Sequence, residues 1–158
     1  KMFDFEQHMV KHNKWYSPGF YTHPYGYNVC LIVRFHKSIG HLSVYLCGMK
    51  GENDNNLMWP LNYSCTVSLL NQLRDENHHT RQWHIDSTDR GSANQVCHNA
   101  REVDKGEYGH GFENFISLEE LYVQENGIQY LVDDCLHFKV EVKVDGCKPW
   151  LASAEVCK

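Results

Sequence analysis

Residues 136–144 read Leu-His-Phe-Lys-Val-Glu-Val-Lys-Val, an alternation that admits one local structure. Leu136, Phe138, Val140, Val142 and Val144 fall on one face; His137, Lys139, Glu141 and Lys143 fall on the other. That period of two belongs to a strand with one dry and one wet face, and a helix cannot satisfy it. Three more segments carry a strand signal. Residues 28–35 (NVCLIVRF) form a largely apolar run, 42–47 (LSVYLC) set Leu42, Val44 and Leu46 against Ser43, Tyr45 and Cys47, and 64–70 (SCTVSLL) add another. Turn formers separate them at Ser38-Ile39-Gly40, at 51–56 (GENDNN) and at Asp133-Asp134. A further strand is expected around Arg81–Asp86, inside the polar, His-rich stretch 75–108 that also contains a long loop.

One short helix is expected. Ser117-Leu118-Glu119-Glu120 matches a capping box, and the segment runs through Leu121 and Val123 to Gly127, a natural stop. So short a helix must pack on a sheet. Many short strands with one short helix predict an all-β fold, an antiparallel sandwich.

The 158 residues carry 15 Lys and Arg against 20 Asp and Glu, a net charge of −5 that argues against nucleic acid as a partner. Hydrophobic residues at 42% and charged residues at 22% describe a folded chain, long enough for one core and one domain. No run approaches the 18 or so apolar residues of a membrane span, so no membrane insertion is expected. Lys1 opens the chain without a charged-then-apolar leader, which reads as no signal peptide, although an excised chain would look the same. Of the seven cysteines, Cys30, Cys47, Cys65 and Cys135 sit in or against apolar alternating runs, and none forms a CxxC. Reduced, structural thiols of an intracellular protein are the expected state.

His78, His79, His84, Cys97 and His98 raise a zinc site. A closed tetrahedral set needs a second ligand pair, which the spacing does not provide, so a solvated His-rich loop is preferred and no metal or cofactor is assigned. Cys97-His98 aim apart in an extended chain, and Asp133-Asp134 read as turn residues, so no catalytic residues are assigned. Asn62-Tyr63-Ser64 is a glycosylation sequon that matters only in a secreted chain.

Several patterns coincide in order: Ser17-Pro18-Gly19-Phe20-Tyr21, Gly26-Tyr27, His41-Leu42-Ser43-Val44-Tyr45, Met49-Lys50-Gly51-Glu52-Asn53-Asp54, Trp59-Pro60, Leu69-Leu70-Asn71-Gln72, Gly109-His110-Gly111-Phe112-Glu113-Asn114-Phe115 and Tyr130-Leu131-Val132-Asp133-Asp134. Together they resemble the MATH (meprin and TRAF homology) domain, and most closely the C-terminal domain of a tumour-necrosis-factor-receptor-associated factor (TRAF). The resemblance implies an eight-stranded antiparallel β-sandwich over residues 1–144, with its first strand truncated because Lys1–Phe5 looks like the end of that strand, and a tail over 145–158.

It also implies an intracellular, cytoplasmic signalling adaptor rather than an enzyme. Such a domain binds short linear peptides from receptor tails or signalling proteins along a sheet edge. Family members trimerise through an upstream coiled coil, and no heptads occur in this chain. The peptide-binding residues implied are Arg34, Tyr45, Gly109, His110, Gly111 and Phe112. Gly109-His110-Gly111-Phe112 matches the Gly-aromatic wall of the groove, with His110 in place of a larger ring. The alternative is that Phe112 and Phe115 are core and the glycines shape a turn. The position of the family's ligand-binding Arg is Ile32 here; Arg34, two residues on and on the same face, either meets a ligand carboxylate or is a solvated charge. Tyr45 either lines the groove or is an ordinary strand tyrosine. The family's serine-rich contact loop corresponds to Gly91-Ser92-Ala93-Asn94-Gln95, with a single serine. Trp83 and Ile85 just before it form either a pocket or core. Rival readings are a substrate-recognition module of a ubiquitin ligase or deubiquitinase, and an extracellular domain of a meprin-like metalloprotease.

Overall fold

The computed structural model describes residues 1–36, 38–86 and 109–146. The Gly91–Gln95 loop, Cys97, His98 and all but the first two residues of the expected tail lie outside them. The elements run α1 (Phe5–Lys11), β1 (Lys14–Tyr16), β2 (Phe20–Tyr21), β3 (Asn28–His36), β4 (His41–Met49), a 3-10 turn (Asp54–Asn56), β5 (Tyr63–Leu69), β6 (His79–Ile85), β7 (Gly109–Ser117), α2 (Leu118–Tyr122) and β8 (Phe138–Val144). The strands form two antiparallel sheets. One has the order β1-β3-β4-β7 with β2 also on β3, and the other has the order β6-β5-β8. The fold is all-β, eight strands with short helices, as the alternating runs require.

The core lies between the sheets. β3 contributes Val29, Leu31, Val33 and Phe35, and β4 contributes Leu42, Val44 and Leu46. β5 opposes them with Tyr63, Cys65, Val67 and Leu69, strictly alternating with half-buried residues, and Phe138, Val140, Val142 and Val144 of β8 pack alongside. β3 reads as continuously apolar because its outer face is covered too. Cys30 and Ile32 join Cys47 of β4 in a second, smaller cluster, against which Tyr45 packs.

The helices depart from expectation in two ways. The capping box forms at Ser117, whose hydroxyl accepts from the Glu120 N–H at 3.1 Å, but α2 ends at Tyr122 because Val123 is already extended. Asn126 and Gly127 then turn in the left-handed region, at φ 56° and 77°, so Gly127 closes a turn and not the helix. At the other end, α1 has no counterpart in the sequence reading. Met2 pairs as an isolated bridge with Leu136, at 2.9 and 3.0 Å. The chain then turns at Asp4 into a helix whose one buried side chain is Phe5. The Asp133-Asp134 turn is as expected, both residues having positive φ.

Candidate functional site

Among the described residues β7 is the last strand of its sheet and β6 an end strand of the other, and the two lie side by side. Their ends are tied together. Arg81 Nη1 donates to the Asn114 carbonyl at 2.9 Å, and His79 Nε2 lies 2.7 Å from the Phe115 carbonyl. A carbonyl only accepts, so Nε2 carries the hydrogen. Beyond these ties, toward Gly109, β7 pairs with β4 on one side and with no described strand on the other.

The register sets which way each β7 residue faces. Gly109 opposes Cys47, His110 opposes Leu46, Gly111 opposes Tyr45 and Phe112 opposes Val44. Residues directly opposite share a face, so Gly109 and Gly111 share the outer face with Cys47 and Tyr45, while His110 and Phe112 share the inner face with Leu46 and Val44. The pairing then slips: Leu42 opposes Ile116, leaving three β7 residues opposite Ser43 alone. This bulge is held by the fully buried Ser43, whose hydroxyl donates to the Glu113 carbonyl.

The six residues expected to line one groove therefore flank one edge from two sides. On the outer face, Tyr16, Ile32, Tyr45 and Gly111 make one row across the sheet, and Cys30, Cys47 and Gly109 make the next. The two glycines leave a strip without side chains beside Tyr45. Arg34 is exposed and its guanidinium lies 5.2 Å from the Tyr45 ring centre, a cation–π arrangement. Arg34 thus sits one row from Ile32, on the same face.

On the inner face, Phe112 meets Trp83 edge-on at 5.6 Å between ring centres, and His110 lies 6.4 Å from the same indole. Phe115 is core, and Ile85 is core as well. Trp83 is both core and part of the edge. It is 7% exposed, and its Nε1–H has no hydrogen-bond partner among the described residues. Arg81 also belongs here, its guanidinium 3.9 Å above the Phe112 ring, and the sequence reading missed it. Extending the Trp83–Ile85 alternation back two residues would have found it.

Gly111 is demanded by the fold itself. A Cβ there would lie 1.9 Å from the Val44 carbonyl oxygen, whereas one on Gly109 would meet nothing closer than 3.3 Å. The histidines of the former zinc argument go to separate partners: His78 to Asp75, His79 to Phe115, and His84 to Ser64 and Asp145. Among the described residues no group of three metal-ligating side chains converges.

Burial holds the His110 imidazole below its ordinary value of 6.5. The unfolded chain therefore takes up a proton at a higher pH than the folded one, so the stability that neutral His110 contributes is present above pH 6.5 and is lost as pH falls below it. The wild-type chain is expected to lose more stability between pH 7.5 and 5 than His110→Phe, as read from urea midpoints. Equal losses would assign the acid sensitivity to the other histidines.

The described residues form a two-sheet antiparallel sandwich, and comparison with known families places it. The MATH domain family matches residues 1–142, and the chain belongs to that family. It is similar to human TNF receptor-associated factor 2, 42% identical over 66 residues that make up 39% of this chain and 13% of that protein. It is similar also to human TNF receptor-associated factor 6, 27% identical over 134 residues, 80% of this chain and 24% of that protein. The fold matches a solved TRAF5 from Notothenia coriiceps with a TM-score of 0.67 at 27% identity, covering 92% of this chain and 71% of that one. The chain spans 13% and 24% of the lengths of the two curated relatives. Among the described residues no helix is long and apolar enough to cross a membrane.

Proposed function

We propose that this chain is an intracellular signalling adaptor domain, without enzymatic activity of its own, that captures a short extended peptide along the Gly109–Phe112 edge of β7. The observation that carries this reading is the open edge itself, flanked on its outer face by Arg34 and Tyr45 and on its inner face by Trp83 and Phe112. A strand added to such an edge gains main-chain hydrogen bonds, and its alternate side chains meet the two flanks in turn. Arg34 supplies a cation for a ligand carboxylate. Trp83 and Phe112, packed edge-on, supply an apolar flank for a ligand side chain. The similarity to TNF receptor-associated factors supports partners among receptor tails and signalling proteins. The buried free thiols of Cys30, Cys47, Cys65 and Cys135 support a reducing compartment over an extracellular one. Residues 1–144 form the binding unit, and trimerisation, where it occurs, rests on segments outside this sequence.

The test is a peptide-display screen of the folded domain beside Tyr45→Ala and Trp83→Phe. Tyr45→Ala removes the half-buried ring and is expected to weaken enriched peptides about tenfold or more, the scale of an interface anchor. Trp83→Phe keeps a ring but removes part of the indole from the apolar flank, and a loss of about fivefold, roughly 1 kcal/mol of apolar contact, is expected in a chain confirmed to be folded. Enriched peptides that both variants retain would overturn the edge assignment. The consensus would separate acidic ligands, suited to Arg34, from the Ser/Thr-rich ligands expected of a ubiquitin-ligase module.

A further inference from the structure

Cys30 of β3 and Cys47 of β4 are directly opposed in the antiparallel ladder, and the Cys47 thiol donates to the Gly48 carbonyl at 3.4 Å. They are the one directly paired set of cysteines among the described strands; Cys65 faces Trp83 on one side and Val142 on the other. Opposed residues in an antiparallel pair have Cα atoms about 4.5–5.5 Å apart, within the span of about 4.4–6.8 Å that a disulfide bridges. The spacing of the pair therefore falls within the reach of a disulfide. The pair lies on the outer face, outside the main core, in a cluster of only four residues. It is 4% and 3% exposed, but the β7 residue beside Cys47 is Gly109, which places no side chain there. A small oxidant needs little room to reach a site with no side chain on that neighbour.

We propose that Cys30 and Cys47 are a redox modification site, a dithiol that hydrogen peroxide converts to a cross-strand disulfide. The Cys47 thiolate attacks one peroxide oxygen and the O–O bond breaks. The released hydroxide takes a proton and leaves as water, and Cys47 becomes a sulfenic acid. Cys30 then attacks that sulfur, losing its proton, and the S–O bond breaks to release a second water as the S–S bond forms. Two thiols have given up two electrons and two protons, and one peroxide has become two waters.

The environment divides the roles in that order. The Cys30 thiol, donating to Cys47, and the nearby Arg34 guanidinium hold the Cys47 pKa below its ordinary value against the opposing effect of burial. The same contact, with burial, pushes Cys30 up. A thiolate is the attacking species, so Cys47 reacts first and Cys30 resolves it. Cys65, pushed up to about 12 by burial, has neither a partner cysteine nor this assistance.

Peptide mapping reads the site directly. The fully reduced chain is treated with equimolar hydrogen peroxide, blocked and digested with trypsin without reductant. Cleavage after Lys14, Arg34, Lys37 and Lys50 places Cys30 and Cys47 on separate peptides, each with no other cysteine. The expected result is a cross-linked pair of peptides 15–34 and 38–50, reversed by dithiothreitol. The thermal midpoint should rise by roughly 5–10 °C, as expected for closing the hairpin loop between the two cysteines. Cys30→Ser should instead leave a dimedone-reactive Cys47 and no rise. Recovery of both peptides uncrosslinked, or crosslinked only to other cysteines, would overturn the proposal. The mapping needs no ligand, so its outcome is independent of the peptide screen.

Discussion

Gly111→Ala is expected to destabilise the chain by at least about 3 kcal/mol, enough to unfold a marginal domain, while Gly109→Ala should change stability by well under half of that. The contrast follows from two positions two residues apart on one strand. At Gly111 the added methyl would sit 1.9 Å from the Val44 carbonyl oxygen and 2.8 Å from the Tyr45 Cα, both backbone atoms that no rotamer change can move aside. Relief requires separating β7 from β4, which breaks the ladder that holds the edge strand. At Gly109 the nearest atom is the Leu46 carbonyl oxygen at 3.3 Å, and a shift of a few tenths of an ångström suffices. Urea midpoints of the two variants against wild type check the claim. Comparable losses at both positions would mean that β7 does not approach β4 as closely as the structure has it. Gly111 is thus a glycine for the fold's sake, and Gly109 is the position where a substitution probes binding alone.

Phe5→Ala is expected to cost about 3–5 kcal/mol, the range for truncating a buried phenylalanine. Phe5 is 0% exposed and meets Phe35 edge-on at 5.5 Å and Tyr122 at 6.4 Å, so it joins α1 to β3 and to the end of α2. No other residue of α1 is fully buried. Val10, on the same helix and 64% exposed, provides the control: Val10→Ser should change stability by no more than about 0.5 kcal/mol. Thermal or urea unfolding of the two variants distinguishes a docked helix from a loose one. A Phe5→Ala chain as stable as Val10→Ser would show that α1 contributes nothing to the core.

β3, β4, β5, β6 and β8 were legible because their information is local, whereas β1, β2 and β7 carry too little patterning to be read as strands. β5 and β8 alternate residue by residue, and that alternation matches the observed burial, while β4 alternates in sequence although Ser43 and Cys47 of its other face are buried too. β3 was legible as a strand although its outer face is also covered, because the apolar run Val29–Val33 before Arg34 is too short for a buried helix to be the better choice. α1 was not legible, since a helix with one buried side chain shows no apolar periodicity, and Asp4 at its N-cap is left-handed and makes no side-chain cap bond. α2 was legible at its beginning, where Ser117 and Glu120 act through local hydrogen bonds, and not at its end, where Val123 leaves the helix without a sequence marker.

The candidate site divides in the same way. Tyr45 and Arg34 could be placed on one face from strand alternation alone. That His110 and Phe112 face the opposite way from Tyr45 depends on the register between β7 and β4, set by partners more than sixty positions away in the chain. The Arg81–Phe112 contact depends on how the two sheets stack, which no local pattern encodes.

The edge between the sheets has a consequence for the vocabulary of whatever it holds. A groove on one face of a sheet reads every second residue of an extended ligand and is indifferent to those between. Along Gly109–Phe112 both faces are furnished, the outer with a guanidinium over a phenol ring and the inner with an indole against a phenyl. A peptide lying on that edge has neighbouring positions judged by unrelated criteria, charge for one and apolar shape for the next. Its recognition code would be a contiguous word, in which exchanging two adjacent letters is as damaging as deleting either.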